Sequence, residues 1–316
     1  MPKRHQTRSG SLQFWPRKKA KRTLPSVNWN VIEEKNKQNL HGFIAYKVGM
    51  FSAFVKDNTD HSMTKGKKIA VPVTVLECPE MKIYSIRLYK NKRLLKDLVV
   101  GFDEELKSKI KKPKQFKQLE NLKDIDFDDV RILTYSNVKK TNIKKVPDLI
   151  ELSLGGSKEE KLNFVKDKIN KDIKVSEVFS EGLVDVRGVT KGHGTQGPVK
   201  RFGIGLKFHK SEKGQRRPGS LGPWHPARVT FRVPISGQTG YFTRISYNSL
   251  IIKVGHTQET DINRQQGFHK FGNIKTGYII LKGSVPGPKK RAMIITSPIR
   301  PTKSAVKKKF ELLELR

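Results

Sequence analysis

One cysteine, Cys78, stands in 316 residues. A single thiol excludes an intramolecular disulfide and any paired-cysteine zinc site, and it suits a reducing, cytosolic compartment. Following a strand-like run, Cys78 reads as a small buried hydrophobe. Long apolar runs are missing too: none approaches the roughly 18 residues that a membrane-crossing helix requires. The first fifteen residues are basic without a continuous apolar stretch, which excludes a secretory signal. Pro16 and Pro25 interrupt the amphipathic helix that a mitochondrial presequence would need. Negative charge is scarce in particular places. Residues 1–30 and 289–309 hold no Asp or Glu, and residues 187–232 hold one, Glu212.

Positive charge is abundant. Lys and Arg number 65 against 29 Asp and Glu, a formal charge of +36. A globule carrying that charge repels itself, so a polyanionic partner is the natural counterweight. Hydrophobic residues make up 35% of the chain, below the ~45–50% of ordinary globular proteins. The length suits about two domains. Part of the chain therefore builds a core, and part has too little apolar surface to fold alone.

Residues 1–39 form the first such part. Lys3, Arg4, Arg8, Arg17, Lys18, Lys19, Lys21 and Arg22 are interleaved with Phe14, Trp15 and Trp29. The expectation is an arm that orders against a nucleic-acid backbone. Strands begin near residue 40. Lys68–Glu77 alternates Ile69, Val71, Val73 and Val75 on one face, and Met81–Tyr89 alternates again. Cys78-Pro79-Glu80 between them predicts a hairpin. Residues 98–180 carry 18 basic and 15 acidic residues, a net +3, which leaves +33 on the other 233. Their spacing predicts an inserted helical lobe. Ser157 and Glu160 make a capping box for a helix over Lys158–Ile169, and Phe102, Leu106 and Ile110 mark an earlier one. Short strands return at Leu183–Val189, Val229–Val233, Leu250–Val254, Tyr278–Leu281 and Ala292–Thr296, separated by Gly and Pro. The fold expected is mainly β: a small barrel over 40–97 and 181–300, the helical insertion at 98–180, and a tail at 301–316.

Within the barrel, residues 190–240 read as a glycine-rich basic finger. Over 187–232 there are 11 Lys and Arg and nine glycines. A structureless stretch of that length is usually functional. Glycine permits close backbone approach to phosphates, Lys and Arg neutralise them, and Phe202, Phe208 and Trp224 are candidates to stack on bases. Candidate RNA-contacting residues are Arg187, Lys191, His193, Lys200, Arg201, Lys207, His209, Arg216, Arg217, Trp224, His225, Arg228 and Arg244. Lys289, Lys290 and Arg291 near the end join the eight basic residues of the arm in that set. Gly192-His193-Gly194-Thr195-Gln196-Gly197 fits GxGxxG formally. A dinucleotide site needs a helix next and an acid about 20 residues on, whereas Pro198, Gly203 and Gly205 break the helix and Arg216-Arg217 stand at the acid's place. His193, His209 and His225 fit no zinc spacing. No metal and no cofactor are expected, nor a membrane or a small-molecule substrate. An RNA-modifying enzyme and a DNA-compacting protein remain competing readings of the same charge.

Seven stretches carry a resemblance: RSGSLQFWPRKKA (Arg8–Ala20), GFIAYKVGM (Gly42–Met50), VPVTVLECPEMKIYSIRLY (Val71–Tyr89), VTKGHGTQGPVKRFG (Val189–Gly203), RRPGSLGPWHPARV (Arg216–Val229), SGQTGYFTRISYN (Ser236–Asn248) and LKGSVPGPKKR (Leu281–Arg291). Together they resemble the ribosomal protein uL3 (L3) family of the large subunit, in its archaeal form. The resemblance implies a structural, non-enzymatic rRNA-binding protein with a translation-factor-type barrel anchored near the 3′ end of the large-subunit rRNA. It implies an arm and a finger that enter the rRNA core, a part early in subunit assembly, and proteins L14 and L24e as neighbours. The family's finger tip, near the peptidyl transferase centre and the aminoacyl-tRNA site, matches Gly222, Pro223, Trp224, His225 and Pro226. Two departures stand out. The sequence ends soon after the barrel, short of the C-terminal extension of eukaryotic members. Where those members carry a methylated histidine, this sequence has Ser211-Glu212-Lys213, so no modification is carried over.

Overall fold

The computed structural model describes residues 8–32, 39–113, 126–141 and 143–316. Two compact units share the chain: one comprises Met1–Arg22 and Val189–Thr243, the other Thr23–Gly188 and Arg244–Arg316.

The larger unit is built on a seven-stranded sheet. Its strands are β1 (Gly42–Asp57), β2 (Lys68–Cys78), β7 (Leu183–Val189), β10 (Thr243–His256), β11 (Gly277–Lys282), β12 (Ala292–Thr296) and β13 (Phe310–Leu315). Their order is β12-β7-β10-β11-β2-β1-β13, and β1 also pairs with β12, so six strands follow one another in a closed circuit with β13 attached outside. Strand β1 can serve three partners because it is long. Gly42–Tyr46 faces β12 and Ala53–Asp57 faces β13 on one edge, while Tyr46–Lys56 faces β2 on the other. The alternation expected in β2 is observed: Val71, Val73 and Val75 are buried with Ile69 against them, in a cluster with Phe268, Tyr278 and Ile280. Leu76 and Cys78 enter the other cluster, beside Ile44 and Met81.

A second sheet runs β4 (Arg93–Val99), β3 (Met81–Lys90), β5 (Asp129–Ser136), β6 (Leu149–Ser153). Two expectations change here. Strands β2 and β3 do not form a hairpin across Cys78-Pro79-Glu80. Both edges of β2 are occupied by β1 and β11, so β3 leaves for the other sheet and pairs with β4 and β5. Nor is 98–180 a helical lobe, because β5 and β6 lie inside it. Val130, Ile132 and Leu152 of these strands are fully buried while Asp129 and Arg131 alternate outward, a two-residue period that the segment's balanced charge concealed. The helix at Lys158–Lys168 (α1) does form. The Ser157 side chain accepts from the Glu160 amide and the Glu160 carboxylate accepts from the Ser157 amide, closing the capping box. The earlier helix shortens to one 3-10 turn, Glu104–Ser108, with Leu106 buried. Val229–Val233 is not a strand.

Candidate nucleic-acid interface

The smaller unit joins the arm to the finger. Its frame is a two-stranded ribbon, β8 (Gly192–Gln196) with β9 (Gly237–Gly240), and a one-turn helix over Pro198–Phe202. Proline suits the first helical position, and Gly203 closes the turn in the left-handed conformation at φ 63°. Gly240 also has to be glycine: at φ 71° an added Cβ would lie 2.0 Å from the Lys191 carbonyl oxygen. The GxGxxG stretch is thus half of a ribbon, followed by a helix of five residues.

Phe202 is the core of this unit. It is fully buried, so it is not the stacking surface expected of it. Trp15 stacks on it at 5.9 Å between centroids and 12° between planes, and meets Phe231 edge-on at 5.8 Å. Three guanidinium groups surround the same ring: the Cζ atoms of Arg8, Arg17 and Arg201 lie 4.6, 4.4 and 5.1 Å from its centroid. Backbone bonds fix the arm there. The Ser9 amide and hydroxyl both donate to the Phe202 carbonyl, at 2.6 and 2.9 Å. Arg17 donates to the Arg201 carbonyl at 3.2 Å, Arg8 to that of Arg232, and the Ala20 amide to that of Tyr241 at 2.8 Å. Arg201 in turn donates to the carbonyls of Ile235 and Gln238, at 3.0 and 3.2 Å. Burial lowers its pKa. The described part of the arm is therefore docked within the protein, and Arg8, Arg17 and Arg201 hold it there.

The remaining cations of the unit face outward. Lys18, Lys19, Lys21 and Arg22 on the arm are exposed, as are Lys191, His193, Lys200, Lys207, His209, Arg216, Arg217, His225 and Arg228 on the finger. Lys3 and Arg4 lie outside the described residues. Lys210 and Lys213, absent from the expected set, are exposed as well. Apolar side chains accompany them: Trp224 is 87% exposed, Phe208 67% and Phe231 60%. The tip from Gly222 to Pro226 is open, with Trp224 and Leu221 lining a cleft of 370 Å³. A loop below the tip is pinned by two bonds, from the Lys207 amide to Gln215 O and from the Gln215 side chain to His209 O, both 3.1 Å. Large exposed rings beside unpaired cations are unfavourable in water alone and complementary to phosphates and bases.

Five expected residues belong to the larger unit. Arg187 is buried in β7, where desolvation lowers its pKa against the pull of Asp185. It has almost no surface to offer an RNA. Arg244 and Lys290 are exposed. Lys289 donates to the His269 carbonyl at 2.5 Å, and Arg291, half-buried, supplies a carbonyl to the Lys47 amide. Trp29, expected among the arm's aromatics, is buried in this unit's core with its ring N–H donating to Glu151 O at 3.0 Å. Among the described residues no three His, Cys, Asp or Glu side chains come together as a metal site. What the sequence reading missed is that some arginines and rings of the arm and finger serve each other. The available signal was Phe202 itself, an apolar residue that ends a short turn at a capping glycine.

A model of the family described as Ribosomal protein L3 matches residues 1–118 and 105–315. Among similar curated proteins, the large ribosomal subunit protein uL3 of Methanocaldococcus jannaschii is 41% identical over 95% of this chain and 93% of its own length. That of Archaeoglobus fulgidus is 40% identical over 96% and 94%, and that of Methanobrevibacter smithii 39% identical over 95% and 94%.

Proposed function

Because this chain belongs to the ribosomal protein L3 family, we propose that it is a structural constituent of the large ribosomal subunit that binds rRNA through its smaller unit. The family is one of structural ribosomal proteins, which removes the RNA-modifying enzyme as a reading. The observation that carries the proposal is the separation of roles among the cations. Arg8, Arg17 and Arg201 are consumed in holding arm to finger, while at least a dozen others project from that unit beside Phe208 and Trp224. In this reading the six-stranded circuit is the small barrel that anchors the protein near the 3′ end of the rRNA. The tip, Gly222 to Pro226, extends toward the peptidyl transferase centre, and proteins L14 and L24e are neighbours in the assembled subunit. Binding is an early step of assembly.

The test is equilibrium binding of the full chain to a 3′-terminal fragment of large-subunit rRNA at several salt concentrations. Each phosphate neutralised contributes about 0.7–0.9 to the slope of log K against log salt. Replacing Arg216 and Arg217 by Ala should flatten that slope by about 1.5. Equal affinity for duplex DNA would instead favour the DNA-compacting reading, and a slope unchanged in the double variant would contradict the finger's role.

A further inference from the structure

A second basic site lies in the larger unit, away from the arm and finger residues in sequence. The C-terminal segment from Pro301 to Leu315 carries Lys303, Lys307, Lys308 and Lys309, all exposed, then enters β13. Between this segment and β10 runs a groove of 720 Å³, within the roughly 300–1,000 Å³ of small-ligand sites. Leu250, Ile252 and Phe310 supply apolar lining, and Lys253, Lys308 and Lys309 supply cations. A fourth cation, Lys282, lies outside the lining but places its ammonium 4.3 Å from the centre of the Phe310 ring. Burial first, and Lys308 second, lower the pKa of Lys282, so the cations crowd one another. None of the four is within ion-pair distance of a carboxylate among the described residues.

Two carboxylates, Glu181 and Glu311, line the groove, and Asp57 and Asp60 act across space on Lys282 and Lys309. Asp57 accepts from Thr59, Ser62 and Thr64, Asp60 pairs with Lys65, and Glu311 accepts from Asn58 at 3.2 Å. Glu181 alone lines the groove without such a bond. Lysines that make no ion pair and outnumber the groove's two carboxylates, beside an apolar slot with an aromatic wall, match a ligand that is itself anionic outside and flat inside.

We infer that this groove binds a short unpaired stretch of RNA, a base against Phe310 and Ile252 and its flanking phosphates against Lys253, Lys308 and Lys309. The inference rests on the reading of the chain as an rRNA-binding protein, but it adds a site distinct from arm and finger. A duplex would present no free base to the slot, and an acidic peptide would meet the cations without filling it with a ring.

The test uses the full chain and an eight-nucleotide oligouridylate carrying 5-iodouridine, crosslinked by light and mapped by mass spectrometry. Label is expected on the peptide that contains Phe310. It should fall about tenfold in the variant Lys253→Ala/Lys308→Ala/Lys309→Ala, whose melting temperature should stay close to the parent's because Lys308 and Lys309 are exposed and Lys253 is half-buried at the groove. Arg216→Ala/Arg217→Ala should keep that label. Label confined to residues 189–243 in the parent would overturn the groove while leaving the RNA-binding reading intact. No binding of any RNA would overturn both. Displacement by oligoglutamate at the same concentration as unlabelled oligouridylate would assign the groove to an acidic protein and end the RNA proposal.

Discussion

Phe202 and Trp224 are both aromatic residues in the same basic stretch, and their surroundings give them opposite roles. Phe202 has no exposed surface and touches Trp15, Arg8, Arg17 and Arg201. Each guanidinium on a ring contributes about 0.5–2 kcal/mol, and removing a buried Phe costs about 3–5 kcal/mol. Phe202→Ala should therefore release the arm. Trypsin cleavage after Arg17 in the free protein should accelerate at least tenfold, read by mass spectrometry, while the larger unit's melting temperature stays put. Trp224 is 87% exposed, so Trp224→Ala should change stability by no more than ~0.5 kcal/mol. Its effect belongs to the ribosome: chemical reactivity of rRNA around the peptidyl transferase centre and tRNA binding at the aminoacyl site should both shift in subunits carrying the variant. A silent variant in both assays would remove the tip from the functional account.

Strand β2 shows how an element couples burial to charge. Glu77 lies in it with 1% exposure, accepting the Lys275 amide at 2.9 Å and the Thr276 hydroxyl at 3.1 Å. Desolvation outweighs those bonds and raises its pKa. The folded protein then holds this proton at a pH where the unfolded chain has lost it. Stability from this group is present below the ordinary glutamate value and declines as pH rises toward the raised value. Glu77→Gln should flatten that decline, measured by urea unfolding at a series of pH values from 4 upward; an unchanged profile would place the dependence elsewhere. Helix α1 tests a different element. Ser157→Ala removes one half of the capping box and should cost about 1 kcal/mol.

These two elements also show where local patterns sufficed. The period of two in β2 and the Ser-x-x-Glu of α1 are each written within ten residues, and both appear as expected. The β2–β3 hairpin did not, because strand partners depend on which edges are already filled, and β1 and β11 fill those of β2 from far along the chain. Strands β5 and β6 were hidden by Asp129, Arg131 and Glu151 within them. In the candidate site, outward cations such as Lys200, Arg216 and Arg228 were legible from composition. The conversion of Arg8, Arg17 and Arg201 to structural use was not, since Arg8 and Arg17 meet Arg201 and Phe202 only through contacts between residues far apart in sequence, Arg17 and Arg201 being separated by 184 positions.

At the scale of the molecule, charge is sorted by segment. Residues 98–180 hold 15 of the 29 acids, and in the second sheet they are satisfied internally. Arg87 bridges Asp97 and Glu151 at 3.0 and 2.6 Å, and Lys161 and Arg131 meet Asp129 at 2.6 and 3.1 Å. The residues outside 98–180 carry +33, of which the acid-poor segments 1–30, 187–232 and 289–309 hold +26, a charge to be met from outside. A map of protein–RNA crosslinks on intact large subunits tests this division most directly. The account predicts rRNA crosslinks on Lys18–Arg22 and across Lys191–Arg228, dense at the tip, with the Asp126–Glu177 span nearly free of them. Crosslinks concentrated on that acid-balanced span, with arm and finger unmarked, would contradict it.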